Sequence, residues 1–274
     1  MPLLSPSFVP SEKNIVLTKV ASDFDFYLPF RRHVPSLANA QRVIYADVDR
    51  LTSDDGVGLF NILAFRGVFF GSPFACSNHF RWFNSLADWK NFYNGQQEEA
   101  KKYDGEEYYV NKNCYGQAQI GRQLSLLDLY WDQRLLWNNK FNKFPKPTAG
   151  EVFAWLISRH PSVNKSTNKN KHSATLFHNI GCLTALLICG DLVEACVIPF
   201  PTAKEWAELI AKAKKGARAG MEMCGLIVKE SGKEEVCEAF ALLDRALQHE
   251  LRDEEKAAMG YNIIMLEHTL CKIK

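Results

Sequence analysis

Three features of this 274-residue chain predict a mainly α fold: a multi-helix bundle-like core with a small N-terminal portion that is α+β or irregular and strand-containing. An apolar stretch from Asn179 to Pro199 has the length of one buried helix. Three Ser/Thr-x-x-Glu patterns each precede apolar residues at helical spacing. Before about residue 80 the texture differs, with short β-rich runs separated by Pro, Gly, Ser and Asp. Residues 1–80 are therefore expected to form the strand-containing portion, packed on a helical core of residues 81–274.

In chain order, the runs 14–20, 24–30, 42–48 and 57–70 are the expected strands. Ser85 and Asp88 stand in capping-box register and open a helix expected over 85–103, with Leu86, Trp89, Phe92 and Tyr93 on one face. Residues 103–121 mix tyrosines with Gly and Asn and predict a loop or short hairpin. Leu127, Tyr130, Trp131 and Leu135 predict a helix over 124–138. Thr148 and Glu151 form a capping box whose helix stops near Pro161, and residues 161–173, made of Ser, Asn, Lys and Thr without apolar periodicity, predict a mobile loop. The central helix is expected over 179–197. Thr202 with Glu205 opens another, with Trp206, Leu209 and Ile210 inside and Lys212, Lys214 and Lys215 at the negative end of its dipole. Ser231 with Glu234 opens a stripe of Val236, Cys237, Phe240, Leu243 and Leu247, and a last helix is expected over 253–271.

Cys182, Cys189 and Cys196 recur every seven residues, which places them on one stripe of the central helix. At about 1.5 Å of rise per residue they stand ~10 Å apart along its axis, too far to share a metal ion or a bond. They are expected to be buried, reduced and unligated, as small apolar residues of the core. The chain's eight cysteines sit in apolar, helix-like contexts rather than in turn-rich clusters, which fits a reducing compartment, cytoplasmic or nuclear. The proline-broken start lacks the basic n-region of a secretory signal. Asp191 and Glu194 interrupt the apolar stretch, so no membrane span is expected.

Net charge is +2, yet it is unevenly spread: residues 101–175 carry 12 Lys and Arg against 6 Asp and Glu, and the flanking segments are mildly acidic. In this basic middle, lysines and arginines alternate with aromatics, the combination that single-strand binding uses to neutralise phosphates and stack bases. The candidate nucleic-acid contacts are Arg134, Trp137, Lys140, Lys143, Lys146, Lys165, Lys169 and Lys171. An ordinary helical core with a solvated basic face would have the same composition.

The most enzyme-like pattern is Arg42-Val-Ile-Tyr-Ala-Asp47-Val-Asp49. On a strand Asp47 and Asp49 would face the same way and offer oxygens to a hard cation. Over about eight residues the run resembles the Asp-x-Asp motif of nucleotide-sugar glycosyltransferases, a resemblance that implies a metal held on a sugar nucleotide's diphosphate. Cys76 and His79 make half of a zinc site without a closely spaced second pair. The sequence contains neither a Gly-x-Ser-x-Gly elbow nor a phosphate-loop motif.

Three function classes follow. The leading one is a non-catalytic intracellular interaction or assembly protein with a protein partner and no cofactor. The second is a helical single-stranded nucleic-acid (RNA) binding protein using the basic, aromatic-rich middle. The third is a metal-dependent glycosyltransferase-like enzyme centred on Asp47 and Asp49.

Overall fold

The computed structural model describes residues 34–103, 105–114, 121–138, 145–159 and 175–273. The strands expected at 14–20 and 24–30 and the loop at 161–173 lie outside them. The protein is mainly helical, and among the described residues no helix is long and apolar enough to cross a membrane. Among the described residues it divides into two compact units, 35–200 and 201–273.

The Pro35–Phe200 unit begins with α1 (Pro35–Val43), whose first-position proline suits a helix start because the missing N–H has no intrahelical partner there. Asn39 on α1 donates to the carbonyls of Ala75 (3.0 Å) and Ser77 (3.1 Å), holding the end of α4 (Pro73–Cys76). Between them lie the single turn α2 (Val48–Leu51) and α3 (Val57–Ala64), which runs on into a π-helical segment, Phe65–Phe69. The run 57–70, expected as a strand, is thus helical almost throughout, and the run 42–48, also expected as a strand, is the end of α1 and a non-helical connection to α2. Every residue from Val57 to Phe69 is buried. A segment apolar on all sides has no periodicity to separate a buried strand from a buried helix.

Two close approaches fix α3 and its π-helical continuation. A Cβ on Gly58 would stand 1.7 Å from the Leu51 carbonyl oxygen, and one on Gly67 would stand 2.3 Å from Tyr130 Oη. Asn61, buried on α3, exchanges hydrogen bonds with the backbone of Phe83 (2.9 and 3.0 Å), which pins the non-helical segment before α5 (Leu86–Gly95). Phe74 then sits among rings: Phe69 at 5.1 Å, Tyr109 at 5.3 Å, Phe80 at 5.4 Å and Phe92 at 5.5 Å. Aromatic pairs at such separations favour tilted and edge-to-face packing.

The helix expected over 85–103 is broken into α5 and α6 (Gln97–Ala100), and Ser85 caps α5 by accepting the Asp88 N–H at 3.0 Å. The helix expected over 124–138 is α7 (Leu126–Gln133) followed by a 3₁₀ turn, Arg134–Trp137. Thr148 and Glu151 form the reciprocal box at the start of α8 (Ala149–Leu156). The central helix, α9, spans Cys182–Glu194 and buries every residue from Thr184 to Val193. It ends before the third cysteine: Cys196 lies past its C-terminus at φ 59 and is exposed, and Cys182 is half-buried, so only Cys189 of the three is core.

In the second unit, α10 (Ala203–Ala213) packs on α12 (Lys233–Glu250), and α11 (Ala217–Met223) packs on α14 (Ile263–Ile273). Trp206 and Ile210 on α10 and Val236, Phe240 and Leu243 on α12 are all buried. Gly220 permits the α11 and α14 contact, since a Cβ there would stand 1.9 Å from the Leu270 carbonyl oxygen. Two boundaries differ from expectation. Helix α12 starts one residue later, with Gly232 as N-cap and Glu235 accepting its N–H at 2.8 Å, because Ser231 is committed to the Val228 N–H. The last helix is split: Gly260, left-handed at φ 58, ends α13 (Asp253–Met259) before α14 begins.

Candidate functional site

Asp47 and Asp49 lie on a helical turn, not on a strand. Asp47 caps α2 by accepting the Arg50 N–H at 3.0 Å, and Asp49 is exposed in the first turn. Residues two apart on a helix do not share a face, so the geometry that would let both hold one cation is absent. Among the described residues no group of three or more His, Cys, Asp or Glu is gathered for a metal. Cys76 and His79 are both exposed around the end of α4.

Of the nucleic-acid contacts expected in the basic middle, Arg134, Trp137 and Lys146 fall among the described residues. Trp137 is 1% exposed and packs 6.4 Å from Trp155, so a base cannot stack on it while the core is closed. Arg134 is half-buried, with its guanidinium 4.0 Å above the Trp131 ring and Nη1 donating to the Trp131 carbonyl. Lys146 is exposed. Lys140, Lys143, Lys165, Lys169 and Lys171 lie outside the described residues. Tyr108, Tyr109 and Tyr130 are buried, and burial, then Tyr108 and Tyr93, pushes the Tyr109 hydroxyl up to about 12.

Arg122, the fourth cation of that segment, is internal. It donates to the carbonyls of Arg66 (2.5 Å), Gly67 (3.1 Å), Phe70 (2.9 Å) and Asn111 (3.0 Å), and to Cys114 Sγ (2.6 Å). The π-helical segment explains the demand, because its altered register and its end release carbonyls that need other donors. Arg66, from the same segment, pairs through two bonds with Asp191 of α9, which also accepts from Tyr45 Oη. Burial pushes the Cys114 thiol up to about 11 despite Arg122, and it pushes the fully buried Cys189 higher still. Neither thiol is poised as a thiolate nucleophile at neutral pH.

A concave surface among the described residues of the second unit has a volume of about 690 Å³. It is lined by Ala211, Lys212 and Lys214 at the end of α10, by Arg218, Ala219 and Glu222 on α11, and by residues 229–233 leading into α12. The shape follows from local geometry. Lys214 ends α10 in the left-handed region (φ 55), and Gly216 turns the chain into α11. Arg218 Nη2 donates to the carbonyls of Lys229 (2.9 Å) and Ser231 (2.8 Å), which staples the connecting loop to α11. Lys233 pairs with Glu208 at 3.1 Å, drawing the start of α12 to α10.

Charges in this concavity are not equally available. Arg218 is committed to Glu222 (3.3 Å) and to the two carbonyls. Lys212, Lys214 and Lys229 are exposed and, among the described residues, have no carboxylate within ion-pair distance. Glu230 adds an exposed carboxylate, which leaves an excess of positive charge. Composition concealed this feature: residues 201–274 carry 12 Lys and Arg against 13 Asp and Glu. The run Lys212, Lys214, Lys215 was legible only as a complement to the α10 dipole, and Lys229 joins it through the loop staple.

No protein-family model, no curated protein and no solved structure matches this chain.

Proposed function

We propose that this chain is a non-catalytic binding and assembly protein of a reducing compartment, cytoplasm or nucleus, and that it engages an anionic partner through the concavity of its second unit. The observation that supports this is the set of Lys212, Lys214 and Lys229, three exposed cations on one concave surface with no carboxylate partner among the described residues. Keeping like charges together disfavours the isolated protein, and an anionic partner relieves that repulsion. The lining hydroxyl, Ser231 Oγ, accepts the Val228 N–H and shapes the loop, so the surface offers charge recognition. All eight cysteines are free of disulfides, in keeping with the compartment.

The test is titration of the full chain at low salt with two fluorescent polyanions, a glutamate-rich 20-residue peptide and a 30-nucleotide single-stranded RNA, each recovered and analysed afterwards. Saturable binding of either, with the ligand recovered intact, supports the proposal. Failure to bind either of them and a linear inorganic polyphosphate as well, or chemical turnover of a bound ligand, refutes it.

A further inference from the structure

We infer that the concavity formed by the end of α10, by α11 and by the start of α12 is a site for consecutive phosphates, supplied by a nucleic-acid backbone or by a free polyphosphate chain. The inference rests on the anion-binding role proposed above and names the ligand chemistry. Two aspects of the lining favour a phosphate backbone. First, the available cations are lysines, whose ammonium groups act as point charges toward phosphate. The guanidinium in the lining, Arg218, has its fork taken by Glu222 and by the Lys229 and Ser231 carbonyls, so the available positive charge is that of the lysines. Second, the lining contains no aromatic ring, so bases have nothing to stack on and contact falls on the backbone.

A volume of about 690 Å³ accommodates several linked phosphates beside Lys212, Lys214 and Lys229. Recognition of this kind is independent of sequence and sensitive to salt. With three phosphates neutralised, affinity for a single strand should fall roughly 20-fold between 50 and 200 mM salt.

The experiment titrates the full chain with three labelled ligands of matched charge: a 30-nucleotide single-stranded RNA, a linear inorganic polyphosphate and a polyglutamate peptide. The triple variant Lys212→Gln, Lys214→Gln, Lys229→Gln is compared with a control triple variant, Lys204→Gln, Arg245→Gln, Lys256→Gln, of equal charge change elsewhere in the unit. Circular dichroism melts establish that both variants fold. The expected result is binding of at least one phosphate ligand, weakened more than tenfold by the concavity variant and less than threefold by the control. Binding of RNA alone identifies the nucleic-acid backbone as the source, and binding of polyphosphate identifies the free chain. Equal loss in both variants, or none in either, overturns the site. Binding of polyglutamate without either phosphate ligand overturns the inference while leaving the binding-protein proposal standing, and binding of none of the three removes both.

Discussion

Arg66 and Asp191, 125 residues apart in sequence, meet through two hydrogen bonds of 2.6 Å with both side chains 1% exposed. The pair joins the π-helical segment after α3 to the most buried helix, α9, and Tyr45 adds a 3.0 Å bond to the same carboxylate. Desolvation of two charges offsets much of their attraction, so the pair's main effect is on what happens when one partner is missing.

Asp191→Ala should therefore destabilise the protein by about 3 to 5 kcal/mol, because it strands the Arg66 guanidinium in the interior. The double substitution Arg66→Met, Asp191→Leu should recover most of that loss. Urea midpoints of the two variants decide the matter: equal losses would mean the geometry of α9, not the stranded charge, carries the effect.

Glycine substitutions should separate close approach from simple helix propensity. Gly58→Ala and Gly220→Ala push a methyl into the Leu51 and Leu270 carbonyls and should each cost about 3 kcal/mol or more. Gly95→Ala, with nothing within 4 Å of the added carbon, should instead stabilise by roughly 0.5 to 1 kcal/mol. Thermal melts that rank Gly95→Ala with the other two would contradict the packing described here.

Tyr109 is fully buried, and its hydroxyl has no hydrogen-bond partner among the described residues. Tyr109→Phe removes a desolvated polar atom and keeps the ring against Phe74 and Trp89, so stability should rise by about 1 kcal/mol. A lower denaturant midpoint would show that the hydroxyl is satisfied in solution.

Thiol reactivity should follow exposure. Cys76 and Cys196 should react with a disulfide reagent within the first phase on the native protein at pH 8, Cys114 far more slowly, and Cys189 only on unfolding. Mass mapping of the earliest labelled thiols checks the order, and early labelling of Cys189 would remove α9 from the core.

The Glu205 carboxyl accepts the Thr202 N–H at 2.7 Å and its hydroxyl at 2.8 Å, and these bonds hold it below its ordinary value of 4.5. A depressed carboxylate contributes stability that is complete above the unfolded value and is lost as pH falls through the folded one. Glu205→Gln keeps an acceptor without a titrating proton, so the decline of stability below pH 4.5 should be shallower than in the parent. Parallel acid titrations followed by circular dichroism would show no difference if the cap is frayed in solution.

The sequence by itself determined the helical class, the capping boxes at Thr148 and Thr202, the Ser85 cap and the apolar helix around Cys189, because each depends on residues within a turn or two of one another. Local pattern misassigned residues 57–70, where apolar residues on every side erase the periodicity that tells helix from strand. It also carried the helix of Cys189 through Cys196, where the chain turns left-handed. Tertiary structure decided which charged and aromatic residues are surface. Trp137, Tyr130 and Arg122 went inside, where rings fill volume and a guanidinium answers the carbonyls around a π-helical turn. Lys212, Lys214 and Lys229, scattered through a segment of nearly balanced charge, came together only because Arg218 holds the loop against α11. Charge that averages out along a chain separates into a patch once helix ends and loops fix the directions of the side chains, and that separation is long-range information no local window contains.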